Sequence, residues 1–112
     1  VRHAEVYRGA FAIAVCPSEN LESPTIVGAQ AANELLNIIG IKASFVLTEY
    51  NSKIYISSRS IDEINVQLIM EKLGGGGHLN VAGAQLTDCS ILQAKHMIQD
   101  TIDEMLKDGD IA

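Results

Sequence analysis

The spacing of apolar positions changes along the chain, and each change marks an element. Residues 11–16, FAIAVC, form a short apolar run containing Ile13 and Val15, which predicts a buried strand. Residues 17–24, PSENLESP, read as a loop. Ser23 at its end suits an N-cap, with Pro24 in the first helical position. Val27, Ala31, Leu35 and Ile38 then line one face of a helix that Gly40 stops. Residues 42–50 and 53–60 alternate with the strand period, and Asn51-Ser52 between them predicts an antiparallel hairpin. Residues 62–73 read as a second helix, with Ile64, Leu68 and Ile69 toward the core and Gly74 as the residue just past its end. Residues 82–88, AGAQLTD, read as a short strand. Ser90 and Gln93 have the capping-box spacing. They start a last helix that runs to about Lys107, with Ile91, Ile98, Ile102 and Met105 as its apolar stripe and Gly109 at its end.

The order strand, helix, hairpin, helix, glycine loop, strand, helix predicts the α/β (α+β) class. A single mixed β-sheet of about four to five strands would be packed with three helices. At 112 residues and 47% apolar content the chain is expected to be one domain, residues 1–112, with a real core. No apolar run reaches the length of a membrane span, and the start lacks the order of a signal peptide. The absence of an initiating methionine points to a fragment of a longer chain. Cys16 and Cys89 fit no metal spacing and read as buried thiols of a reducing compartment. A net charge of −6 counts against tight, unspecific nucleic-acid binding. The acids are uneven, however: Asp100, Asp103, Glu104, Asp108 and Asp110 crowd the C-terminal end, most simply as a solvated helix face.

Residues 73–86, LGGGGHLNVAGAQL, carry the candidate chemistry. Four consecutive glycines are entropically costly. A flexible linker would be flanked by polar residues and join independent units. These glycines join an apolar helix to an apolar strand, so the loop is internal to the fold. Two readings remain: a tight structural turn, or a place where backbone closely approaches a ligand. Successive glycine N–H groups can form a concave anion site, and His78 beside them adds a directional donor. Phosphate is the ligand this would suit. The sequence GGGGH lacks the Gly-Lys-Ser/Thr ending of a phosphate-binding P-loop and the strand context of a dinucleotide fingerprint. Among the histidines, His96 reads as a surface residue and His3 as part of a mobile terminus. The three histidines show no metal-ligand spacing.

The stretch GGGGHLNVAG, residues 74–83, resembles the glycine-histidine signature of the DHH-associated domain, the C-terminal half of the DHH phosphoesterases. The resemblance runs from about Tyr7 to Leu106 and includes ISSRS, residues 56–60. Residues 65–78, NVQLIMEKLGGGGH, are most similar to the subgroup that hydrolyses cyclic di-AMP. One departure is Val81, where many members have alanine; this reads as a conservative packing change. The resemblance implies a division of labour. A DHH domain in cis would hold two divalent metals, usually manganese, that activate water. The associated domain would hold the substrate, cyclic di-AMP or pApA. The chain contains no Asp-His-His, so it is expected to carry no metal and to be inactive alone. In that subgroup the full protein is anchored in a bacterial membrane with its catalytic domains on the cytoplasmic face.

The candidate substrate-binding residues are Ser57, Arg59, Gly75, Gly76, Gly77 and His78. Arg59 follows an apolar strand and can pair with phosphate or stack on a base. Ser57 and Ser58 point to opposite faces of that strand, and the resemblance favours Ser57, which shares a face with Arg59. Asn80 suits either a base edge or loop capping. A second reading keeps the family but makes it a nuclease of single-stranded DNA or very short RNA. Such a site would need a cationic track and stacking aromatics, against which this chain has no tryptophan. A third reading is a non-enzymatic nucleotide-binding module, since alanyl-tRNA-synthetase C-terminal domains share a related glycine motif. A homodimer is compatible with each of these readings.

Overall fold

The computed structural model describes residues 4–16, 24–62 and 64–109. Its architecture is one six-stranded mixed sheet with a helix layer on each face. The chain runs β1 (Glu5–Tyr7), β2 (Phe11–Cys16), α1 (Pro24–Leu35), β3 (Ala43–Tyr50) and β4 (Lys53–Ser60). It continues through α2 (Val66–Lys72), β5 (Gly76–Gly77), β6 (Val81–Thr87) and α3 (Ile91–Asp108). The strand order is β1-β2-β3-β4-β6-β5. β2 and β3 are parallel, joined through α1, and the other neighbours are antiparallel. The β3–β4 turn carries positive φ at both Asn51 and Ser52, the geometry that matches strand twist in a two-residue hairpin.

The two faces bury different side chains. α2 and α3 cover a large core containing Phe11, Phe45, Leu47, Ile56, Ile69, Met70, Ile98 and Ile102. α1 covers a smaller one, in which Ala12, Ala14 and Val46 meet Ala31, Ala32 and Leu35. Small residues on β2 and α1 let that helix lie close. No β6 residue takes part in the second core, so α1 roofs only part of its face.

Several sequence expectations need correction. The sheet has two more strands than the apolar pattern revealed. β1 is three residues long with its first two exposed, and β5 is two glycines, so neither has a readable period. α1 ends at Leu35; the chain continues in single turns to Gly40, and Ile38 is exposed instead of joining the stripe. α2 starts only at Val66, capped by Asn65, and buries Val66, Ile69 and Met70 while Leu68 faces out. Cys16 and Cys89 are half-buried, against opposite cores. α3 has the full capping box at Ser90 and Gln93 and ends on Gly109 at φ 78°. The loop at 17–23, with Ser23 as N-cap, and His3 and Asp110 lie outside the described residues.

Candidate functional site

The part of the sheet that α1 leaves open forms a groove of about 770 Å³. This is within the range of small-molecule sites. Thr25 and Ala29, one turn apart on α1, form one wall, and the glycine edge of β5 with His78 forms the other. Its floor is the set of β4 and β6 side chains that share a face, fixed by the antiparallel register. Arg59 lies opposite Val81, Ser57 opposite Gly83, and Tyr55 opposite Gln85. Gly83 in turn lies opposite Gly76. His78 exchanges backbone hydrogen bonds with Val81, at 2.7 and 3.4 Å, which sets it beside Arg59's row. Three cross-strand rows result: a basic row of Arg59, Val81 and His78; a small row of Ser57, Gly83 and Gly76; and a row of Tyr55 and Gln85. Successive rows on one face are two residues, about 7 Å, apart.

The four glycines are not equivalent. Gly74 ends α2 in the left-handed region, at φ 87°. Its N–H donates to the Glu71 carbonyl and that of Gly75 to the Met70 carbonyl, the paired bonds of a Schellman end. A Cβ at Gly75 would lie 2.1 Å from the Gly83 carbonyl oxygen. One at Gly77, where φ is 144°, would lie 2.5 Å from Ala82 Cα and from the Val81 carbonyl oxygen. Gly76 alone meets neither constraint: its φ is not positive and a Cβ would enter open space. The expectation of successive free amides is therefore corrected. Gly74, Gly75 and His78 all donate within the chain, because the helix end and the β5–β6 hairpin absorb them. Gly76 and Gly77 line the groove with His78, whereas Gly75 packs under it against Ala84 and does not line it.

Arg59 is half-buried on the groove floor. Its Nη1 donates to the Ser58 carbonyl at 2.8 Å, and the ion pairs formed among the described residues do not involve it. Burial pushes its guanidinium below the ordinary arginine range, although such a group stays charged. A desolvated cation with no ion-pair partner among the described residues is stabilised by an incoming anion. Ser57 also faces the groove, and Ser58 is fully buried on the opposite face, where its hydroxyl has no hydrogen-bond partner among the described residues. His78 is exposed at the rim. Asn80 serves the loop: its Nδ2 donates to Ser60 Oγ at 2.8 Å and to the Asp62 carbonyl at 3.2 Å. Val81 is not a packing position; it is 47% exposed on the groove floor between Arg59 and His78.

Sequence reasoning missed Tyr55 and Gln85 on the groove floor, and Gly28 behind it. Tyr55 and Gln85 were open to the parity argument that joined Ser57 to Arg59, since Tyr55 lies four positions earlier on the same strand. Gly28 sits in the middle of α1, where glycine is unfavourable. It is buried there, and a Cβ would lie 2.8 Å from Ser57 Oγ, so this glycine lets α1 close over the small row. Among the described residues no three His, Cys, Asp or Glu side chains converge as metal donors. The polar donors of the groove include the Arg59 guanidinium and the His78 imidazole. No helix among the described residues is long and apolar enough to cross a membrane.

The chain is similar to known proteins over most of its length. The family profile described as DHHA1 domain matches residues 10–108. The cyclic-di-AMP phosphodiesterase PdeA of Listeria monocytogenes is 45% identical over 108 residues, covering 96% of this chain and 16% of that protein. The cyclic-di-AMP phosphodiesterase GdpP of Bacillus subtilis is 38% identical over 111 residues, covering 97% of this chain and 17% of its own length. The chain thus spans about a sixth of the curated relatives it matches. A crystal structure of an exopolyphosphatase-related protein from Bacteroides fragilis shares the fold, with a TM-score of 0.81 at 20% identity. That match covers 93% of this chain and 32% of the other.

Proposed function

The chain belongs to the DHHA1 domain family, and on that premise we propose that its groove is the substrate-holding half of a cyclic-di-AMP phosphodiesterase. The observation that carries this reading is Arg59: a half-buried cation on a groove floor, with no ion-pair partner among the described residues, in one row with His78. The guanidinium and the imidazole grip a phosphate of cyclic di-AMP or pApA. The Ser57 hydroxyl and the side-chain-free edge at Gly76 and Gly77 let the substrate backbone lie close. Names of relatives at 38–45% identity support the substrate class. Hydrolysis belongs to a DHH domain in cis, whose divalent metal, manganese in this reading, activates the water. The chain itself binds and orients. The whole protein would work on the cytoplasmic face of a membrane.

Amide NMR of the 112-residue chain titrated with pApA, cyclic di-AMP and oligo-dT tests the reading. Shifts centred on Arg59 and residues 74–84 are expected with the adenine dinucleotides, and Arg59→Ala or His78→Ala should weaken them at least tenfold. Stronger shifts over a wider surface with oligo-dT would transfer the site to single-strand nuclease function. Binding unaffected by Arg59→Ala would remove the proposal's basis.

A further inference from the structure

The third row of the groove has no part in holding phosphate, yet it continues the floor. Tyr55 and Gln85 stand directly opposite each other on β4 and β6, and both line the groove. Gln85 is exposed and Tyr55 half-buried, so a ring and a free amide sit side by side. The chain has five aromatic residues. Phe11 and Phe45 are in the core, Tyr7 is hydrogen-bonded to Asp103, and Tyr50 lies at the far end of β3. Tyr55 is thus the aromatic that the groove presents. A nucleotide laid along the strands with its phosphate on Arg59 would place its sugar over the small row and its base over the third. The total span is four residues of strand, about 13 Å. Gly83 and Gly76 leave the middle of that path free of side chains.

From this placement we infer that Tyr55 and Gln85 form the base subsite, and that Gln85 selects adenine over guanine. The inference rests on the reading that Arg59's row holds a phosphate of a dinucleotide. Tyr55 supplies a face on which any base stacks, which gives affinity without sequence preference. Selection needs a polar edge. A glutamine amide offers a donor and an acceptor together, which matches adenine N7 and N6, where one accepts and the other donates. On the same edge guanine presents two acceptors, N7 and O6, which a single amide does not satisfy together. A carboxylate at this position would accept from both guanine donors, N1 and N2.

The test compares ratios, because an added negative charge weakens every anionic ligand alike and cancels. Dissociation constants of the 112-residue chain for pApA and pGpG are measured by calorimetry for the unaltered chain and for Gln85→Glu, Tyr55→Leu and Arg59→Ala. Each variant is first checked for an unchanged amide fingerprint away from the substitution. The expected result is at least tenfold preference for pApA in the unaltered chain. That preference should fall at least tenfold, or reverse, in Gln85→Glu. Tyr55→Leu should weaken both ligands about equally. If both dinucleotides bind through Arg59 but their ratio does not respond to Gln85→Glu, the base subsite is overturned and the phosphate reading stands. If Arg59→Ala has no effect, or neither ligand binds, the phosphate reading falls and the base subsite falls with it.

Discussion

At the scale of single residues, neighbouring positions of one type have opposite jobs here. A methyl group added at Gly75 collides with backbone at 2.1 Å, which no side-chain rotation relieves. Gly75→Ala is therefore expected to destabilise the chain by about 3 kcal/mol, as severe overpacking does. At Gly76 the methyl enters open space with no positive φ to forbid it. Gly76→Ala is expected to leave stability unchanged or raise it by about 0.5 kcal/mol through the unfolded chain, while weakening dinucleotide binding at least tenfold. Urea melts of both variants, with a binding titration of the second, check the pair. Equal destabilisation would mean that the glycine run is structural throughout. The serines of β4 divide in the same way. Ser58 Oγ is buried without a partner among the described residues, so Ser58→Ala is expected to raise stability by about 1 kcal/mol. Ser60 Oγ donates to the Ile64 carbonyl at 2.6 Å and accepts from Asn80 at 2.8 Å. Ser60→Ala strands both partners and is expected to cost about 2 kcal/mol, read in the same melts.

At the scale of elements, β1 is held to the rest of the molecule by a polar clasp. Asp103 of α3 accepts from Tyr7 OH at 2.6 Å and from Arg8 Nε at 2.9 Å. The Arg8 hydrogen bond, then that of Tyr7, holds the Asp103 carboxyl below its ordinary range. A carboxyl lowered on folding stabilises the fold above its unfolded value, about 3.9, and that contribution is lost as pH falls through the folded value. The stability gap between the unaltered chain and Asp103→Asn is therefore expected to be present at pH 7 and to close in acid. Thermal melts across pH 2–7 measure it, and a gap constant with pH would refute the clasp. β1 itself was not legible from the apolar pattern, since its partners are ion pairs and hydrogen bonds 90 or more positions away. β5 was illegible for another reason: glycine carries no side chain to show a period. The hairpin strands β3 and β4 were legible nearly to the residue, as was the capping box of α3. The site was half legible. Strand parity placed Ser57 and Arg59 together, but the loop amides could not be assigned without knowing that the end of α2 consumes two of them.

At the scale of the whole molecule, the acids of α3 stand away from the groove. Asp100, Asp103, Glu104 and Asp108 all belong to α3, which packs on the face opposite the groove. There, Arg8, Lys72 and Lys95 are already paired with Asp103, Glu104 and Glu5. The net charge of −6 is therefore compatible with an anion site, because the α3 acids stand behind the sheet and Arg59 stands in front of it. The same placement limits what the groove can bind. A long single strand needs a track of free cations, each releasing counterions as it meets a phosphate. The groove floor offers one guanidinium and a rim imidazole, enough for one or two phosphates. The logarithm of affinity for pApA plotted against the logarithm of salt concentration is expected to have a slope of about −1, given roughly −0.7 per neutralised phosphate. Affinity for oligo-dT should not rise as the strand is lengthened from two to ten nucleotides. Titrations at several salt concentrations measure both. A slope steeper than about −3, or affinity climbing with strand length, would mean that the chain's remaining lysines form a track, and the groove would then belong to a polymer-binding surface.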